Sequence, residues 1–203
     1  MRRHPAHQSS IHLRRRLYDA IQQDWKPFSV YLRARLAINT AWHVLPIFRN
    51  SLEAQLEIEA DFEEDFRPLL SVPEDLLAFT ESQVFNQQSN ATEIEGLQRK
   101  IYQAVLVRFS GLYAMLAAYK ASYEATCEYE FIEKYFFPSN QTLQDVDYGR
   151  AILSDTAASA AMAAACHPIR YEFNPARLLA FWEWWHNEAL PMAWEMANQD
   201  AEG

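Results

Sequence analysis

Only four glycines, Gly96, Gly111, Gly149 and Gly203, occur among 203 residues, and that scarcity removes most architectures at once. Tight hairpin turns and phosphate-cradling loops both draw on glycine for positive φ or for close backbone approach. A multi-stranded antiparallel fold is therefore disfavoured. Neither GxGxxG nor GxxxxGK[ST] occurs, which sets aside the Rossmann and P-loop nucleotide enzymes. Half of the residues are hydrophobic, and 12 Phe, 10 Tyr and 6 Trp supply ample material for a core. The fold class that fits is all-α.

Prolines and apolar spacing divide the chain into helices. Residues 1–9 read as a disordered basic tail, and one domain is expected over 10–198, with a second disordered tail at 199–203. A first helix starts near Ser10 and stops before Pro27. A second spans about Phe28 to Glu59, with a kink or break expected just before Pro46. Ser71 or Val72, followed by Pro73, Glu74 and Asp75, reads as a helix start, and that helix should end near Phe85. Thr92-x-x-Glu95 has the pattern of a capping box and opens one long central helix, about 92–135. Two more helices follow: an alanine-rich one from about Thr142 to Cys166, and one begun by Asn174-Pro175, kinked at Pro191 and ending near Ala197. The expected architecture is an irregular bundle of about six helices.

Charge is unevenly spread. Residues 1–35 carry a net of +6, whereas the rest hold 10 basic and 25 acidic side chains, a net of −15. This asymmetry permits the basic start to dock onto the acidic body. It argues against nucleic-acid binding, which needs a clustered basic face. The acidic run 57–65 reads as a solvated helix face. Cys127 and Cys166 sit outside any metal-spaced motif and read as buried small hydrophobes in a reducing compartment. No apolar stretch is long enough for a membrane span, and no apolar core follows the basic N-terminus as in a secretory signal. The expected location is cytoplasmic.

Candidate chemistry is sparse. Glu183-x-x-His186 puts a carboxylate and an imidazole on one helix face, the half-motif of di-iron bundles, but the chain has it once. It is the one metal candidate, and no cofactor is expected. His43, inside Ala41-Trp42-His43-Val44-Leu45, reads as a satisfied core histidine. His167 reads as a partner of a helix C-terminus. Trp182, Trp184, Trp185 and Trp194 make the last helix apolar around most of its circumference, so that a second face is either buried or meets another chain. Phe181, Trp184 and Trp194 are the interface candidates, because such aromatics are enriched at hot spots. No GxSxG elbow or HExxH motif is present.

Ala41-Trp42-His43-Val44-Leu45-Pro46-Ile47-Phe48, followed by Asp65-Phe66-Arg67-Pro68, resembles the start of a helical immunity-protein family of bacterial polymorphic toxin systems. Ala117-Ala118-Tyr119-Lys120-Ala121 is similar to that family's alanine-rich helices. The resemblance implies a non-catalytic protein that occludes a toxin, and it assigns no individual site residues. The leading expectation is thus a helical protein acting through contacts with a protein partner or with a second copy of itself. The competing expectation is a helical-bundle enzyme or small-ligand binder, with a pocket lined by Trp42, His43, Tyr113 and the Trp182–His186 segment.

Overall fold

The computed structural model describes residues 14, 16, 17, 19–21, 26–58, 66–105, 111–128, 155–167 and 172–202. Among these lie seven α-helices: α1 (Lys26–Ile58), α2 (Val72–Phe85), α3 (Ala91–Val105), α4 (Leu112–Thr126), α5 (Thr156–Ala165), α6 (Pro175–Trp184) and α7 (Leu190–Glu202). A 3-10 turn, Arg67–Leu69, precedes α2, and a π turn, Trp185–Ala189, joins α6 to α7. The one bridge among the described residues pairs Cys166 with Phe173. The all-α expectation is met. No described helix is long and apolar enough to cross a membrane. The expected tail 1–9, most of the acidic run 57–65, and residues 142–154 lie outside the described residues.

α1 is 33 residues long, about 50 Å at 1.5 Å per residue. Leu32, Leu36, Ala41, Val44, Phe48 and Leu52 recur along it at helical spacing and are all buried. Of the kink or break expected just before Pro46, the break does not occur, since the helix runs on through the proline. Proline removes the amide that would bond the carbonyl four residues earlier, a cost of about 3 kcal/mol. Burial of Leu45 and Phe48 on either side of the exposed proline holds the helix together. α1 lies against α4, α7, α5 and α2.

The single long helix expected over 92–135 is instead two helices, α3 and α4, and α4 ends at Thr126. Gly111 makes the break. It caps α4 with φ +83°, where a side chain is strained, and an added Cβ would stand 3.0 Å from Phe48 Cα and 3.2 Å from its carbonyl oxygen. Central position belongs to α4, which packs on α1, α5, α2 and α3. It does so through small residues: Ala114, Ala117, Ala118 and Ala121 are buried, and so are Ala157, Ala160 and Ala161 of α5. Small side chains let helices approach closely, which is what the alanine run predicts.

Gly96 is the contrast, because a Cβ there would meet nothing within 4 Å. Gly111→Ala is expected to destabilise the fold by about 1–2 kcal/mol through backbone strain. Gly96→Ala should stabilise it by about 0.5–1 kcal/mol, the ordinary mid-helix preference for alanine. Thermal melts of the two variants should therefore move in opposite directions. A shift of the same sign in both would refute the assignment of Gly111 as the obligatory break.

Helix starts follow local chemistry. α2 begins after Ser71 with Pro73, Glu74 and Asp75 in its first turn, and it ends at Phe85. The Asn174 side chain accepts from the amides of Ala176 and Arg177 at 3.0 and 3.2 Å, with Pro175 opening α6. The Thr92-x-x-Glu95 box is not used as a cap. α3 starts one residue earlier, at Ala91, and the Asn90 carbonyl accepts from the Ile94 amide. Residues 199–202, expected as a tail, continue α7, and Asp200 is held there by Arg35.

Candidate functional sites

The last helix was the sequence's main candidate, and its residues divide by burial. Phe181, Trp182 and Trp185 face the core, and the Trp185 indole donates to Thr40 Oγ1 at 3.1 Å. Just before Pro191, the π turn carries the Leu190 amide to the Trp185 carbonyl, a wider loop than an α turn makes. Trp184 is half-buried and stacks on the exposed His43, with ring centroids 3.5 Å apart and planes 12° apart. His43 is thus not the core histidine its apolar neighbours suggest. Partial desolvation in this stack lowers its pKa, against an opposing pull from Glu188. Trp194 is 53% exposed and meets the Phe28 ring edge-on at 4.9 Å.

Glu183 and His186 are both exposed, and no group of three or more His, Cys, Asp or Glu among the described residues could hold a metal ion. Desolvation, followed by the charge of Arg14, lowers the His186 pKa. Trp42 is half-buried beside the core. Tyr113 lines a different, water-sized cavity of about 10 Å³, together with Ile47, Gly111, Leu112, Ala163, Cys166 and His167. Trp42, His43, Tyr113 and His186 are therefore spread over separate surroundings.

Three arginines near the start of the chain, Arg14, Arg33 and Arg35, are turned inward. Arg14 is buried and pairs with buried Asp155 at 2.6 Å, its guanidinium lying over the Trp182 ring. Arg33 donates to the carbonyls of Glu124 and Cys127 at 2.8 and 2.9 Å. Arg35 holds both carboxylate oxygens of Asp200 at 2.7 and 2.9 Å, reaches Glu81 at 2.7 Å and covers the Phe85 ring. Such paired forks are the geometry for which arginine is suited.

Asp155 also caps α5 by accepting from the Ala158 amide at 2.6 Å. Glu124, fully buried, accepts from the Thr156 amide and hydroxyl at 2.7 and 2.9 Å. Between these carboxylates lies Lys120, buried, with no hydrogen-bond partner for its Nζ. Burial pushes its pKa down to about 8, against the pull of Asp155 and Glu124. Sequence reading overlooked this centre. Its trace was Lys120 and Glu124 one turn apart in an otherwise small-residue helix.

A groove of about 580 Å³ opens between α2, α3 and α4. α3 contributes Glu95, Gln98, Arg99 and Tyr102, whose spacing puts them on one face. α4 contributes Tyr119, Tyr123 and Thr126, again one stripe, and Gln83 and Cys127 close the ends. Tyr102 is 60% exposed. The rings of Tyr119 and Tyr123 are 5.0 Å apart. Desolvation raises the Tyr119 pKa, so its phenol stays protonated. It likewise raises the Cys127 thiol, which leaves no ready thiolate for covalent chemistry. Both stripes are readable as spacing, but only the pairing of α3 with α4 across the Gly111 break brings them together.

No protein-family model, no curated protein and no solved structure matches this chain.

Proposed function

We propose that this protein is a non-catalytic binding protein whose partner is a basic protein docking on the outer side of α6 and α7. The observation that carries this reading is the composition of that side. Leu179, Met192 and Trp194 are 52%, 43% and 53% exposed, Met192 and Trp194 on the two flanks of the buried Ala193, and Glu183, Glu188, Glu195 and Glu202 are exposed on the same segment. Arg177 is the only Lys or Arg in 175–202. Large apolar anchors within a charged rim are the anatomy of an interface hot spot.

Electrostatics favour a basic partner. Arg14, Arg33 and Arg35 are consumed internally, and the exposed carboxylates of residues 183–202, against Arg177 alone, make this segment acidic. An acidic surface steers a basic partner and suppresses acidic ones. The same charge disfavours a second copy of this chain, since a two-fold contact here would press like carboxylates together. Immunity toward a basic nuclease-type toxin is one form of this role, and the resemblance of residues 41–68 to helical immunity proteins points the same way. Trp184 and Trp194 would be contact residues, with Phe181 behind them as support.

The test is a photo-crosslinking residue at position 194 in the full chain, expressed in its own cells. The expected adduct is a basic protein. Glu188→Lys combined with Glu195→Lys should abolish it, and added salt should weaken it. With the partner purified, Trp194→Ala should weaken binding by about thirtyfold, as for a hot spot of about 2 kcal/mol. An acidic adduct, a self-adduct, or a yield indifferent to charge reversal would each sink the proposal.

A further inference from the structure

We propose that the tyrosine-lined groove between α2, α3 and α4 binds a planar, uncharged heteroaromatic ring of the nucleobase class. This site is separate from the outer side of α6 and α7 and does not depend on any protein partner. Its volume, about 580 Å³, falls within the range of small-molecule sites, roughly 300–1,000 Å³.

Three features select the ligand. The first is ring faces: Tyr102, Tyr119 and Tyr123 all line the groove, and Tyr102 leaves 60% of its surface to solvent. Aromatic side chains of this kind stack on bases and accept any of them, because every base has a π face. The second is amides. Gln98 is fixed by donating to Ser122 Oγ at 2.8 Å, and Gln83 holds its side-chain oxygen buried with no hydrogen-bond donor. Glutamine amides match ring edges that carry a donor beside an acceptor.

The third feature is charge. Glu95 and Arg99 sit one turn apart on the same wall and cancel. A phosphate would meet one guanidinium opposed by one carboxylate, on a chain of net charge −9. Polynucleotides depend on clustered cations, and among the described lining residues only Arg99 is one. The ligand is therefore a free base or nucleoside rather than a nucleotide or a nucleic acid strand.

The experiment titrates the full chain with adenosine, guanosine, cytidine and uridine, following the tyrosine ring resonances. Adenosine monophosphate and methyl glucoside serve as comparisons. At least one nucleoside should saturate the tyrosine shifts, and the monophosphate should bind no more tightly than its nucleoside. Tyr102→Ala should weaken binding about tenfold or more, the loss expected for one stacking platform. Tyr102 is exposed, so this variant should fold, which its thermal melt will check. Glu93→Gln, exposed on α3 outside the groove lining, should leave nucleoside binding within about threefold. The proposal is overturned if no nucleoside saturates below roughly 1 mM. It is equally overturned if methyl glucoside or the monophosphate binds more tightly, or if Tyr102→Ala binds as well as the parent.

Discussion

Replacing Asp155 with alanine is expected to destabilise the fold by about 3–5 kcal/mol, the cost of leaving one member of a buried ion pair alone. Arg14 and Asp155 have side chains 2% and 0% exposed, so water cannot take over from the missing carboxylate. The other carboxylate oxygen, Oδ1, caps α5 by accepting from the Ala158 amide, a role worth about 1 kcal/mol by itself. Lys120, a third charge in this centre, loses one of the two carboxylates that offset its burial. These losses share one site and will not add.

Asp155→Asn separates them, because it keeps an oxygen for the Ala158 amide and removes only the charge. It should recover the capping share, about 1 kcal/mol, and no more. Chemical denaturation is the measurement, with the midpoint falling at an unchanged slope if only stability is altered. A loss below about 1 kcal/mol for Asp155→Ala would mean that the Arg14 pair is solvated and contributes as little as a surface ion pair.

The attachment of the basic start to the body was legible as a possibility in the charge asymmetry, but its partners were not. Charge counts say that +6 faces −15, and they are silent on which arginine finds which acid. Arg35 reaches Glu81 and Asp200 at 2.7 Å, across 46 and 165 residues. Such pairing depends on helices meeting in space, which no local pattern encodes. Helix starts were more readable, because capping is local chemistry: Asn174-Pro175 and Ser71-x-Pro73-Glu74-Asp75 sit where their residue types require. Thr92-x-x-Glu95 shows the limit of that logic, since Asn90 lies two residues upstream and its carbonyl takes the first-turn amide instead.

Gly111 and Pro46 show opposite failures of one rule. Proline inside an apolar stripe suggests a break, yet α1 continues through it because buried side chains on both sides hold the helix. Gly111, inside an apolar stripe, ends the run through its left-handed backbone, with Phe48 of α1 packed so close that its Cα has no room for a side chain. In each case packing against a distant residue outweighs the local preference. The groove follows from the second of these. Splitting the expected long helix into α3 and α4 lets its two halves face each other, which a straight helix could not do. Tyr102 of α3 and Tyr119 of α4 thereby come to line one cavity.

Lys120→Met is expected to stabilise the protein at pH 7 by on the order of 3 kcal/mol, and that gain should vanish near pH 10.5. The sign comes from comparing folded and unfolded chains. The lysine has an ordinary value of 10.5 when unfolded and about 8 when buried in the fold. Below pH 8 both forms carry the proton, and the folded state bears the whole cost of an ammonium without a hydrogen-bond partner. Between 8 and 10.5 the folded state releases its proton first. The unfolded chain then binds more protons, and stability rises with pH. Above 10.5 neither form is charged and the penalty is gone.

Methionine has a similar length and no charge, so it removes the penalty at every pH. The difference between the parent and Lys120→Met should therefore be largest below pH 8 and close as pH rises, whatever the other groups do in common. Lys120→Arg completes the comparison, since a guanidinium keeps its charge and should remain costly across the whole range. Denaturation midpoints of the three chains at pH 7, 9 and 10.5 decide the matter. A difference between parent and methionine variant that stays flat over that range would show that Lys120 titrates in the fold as it does in the unfolded chain and is therefore solvated. The two neighbouring carboxylates would then need another explanation for their place beside it.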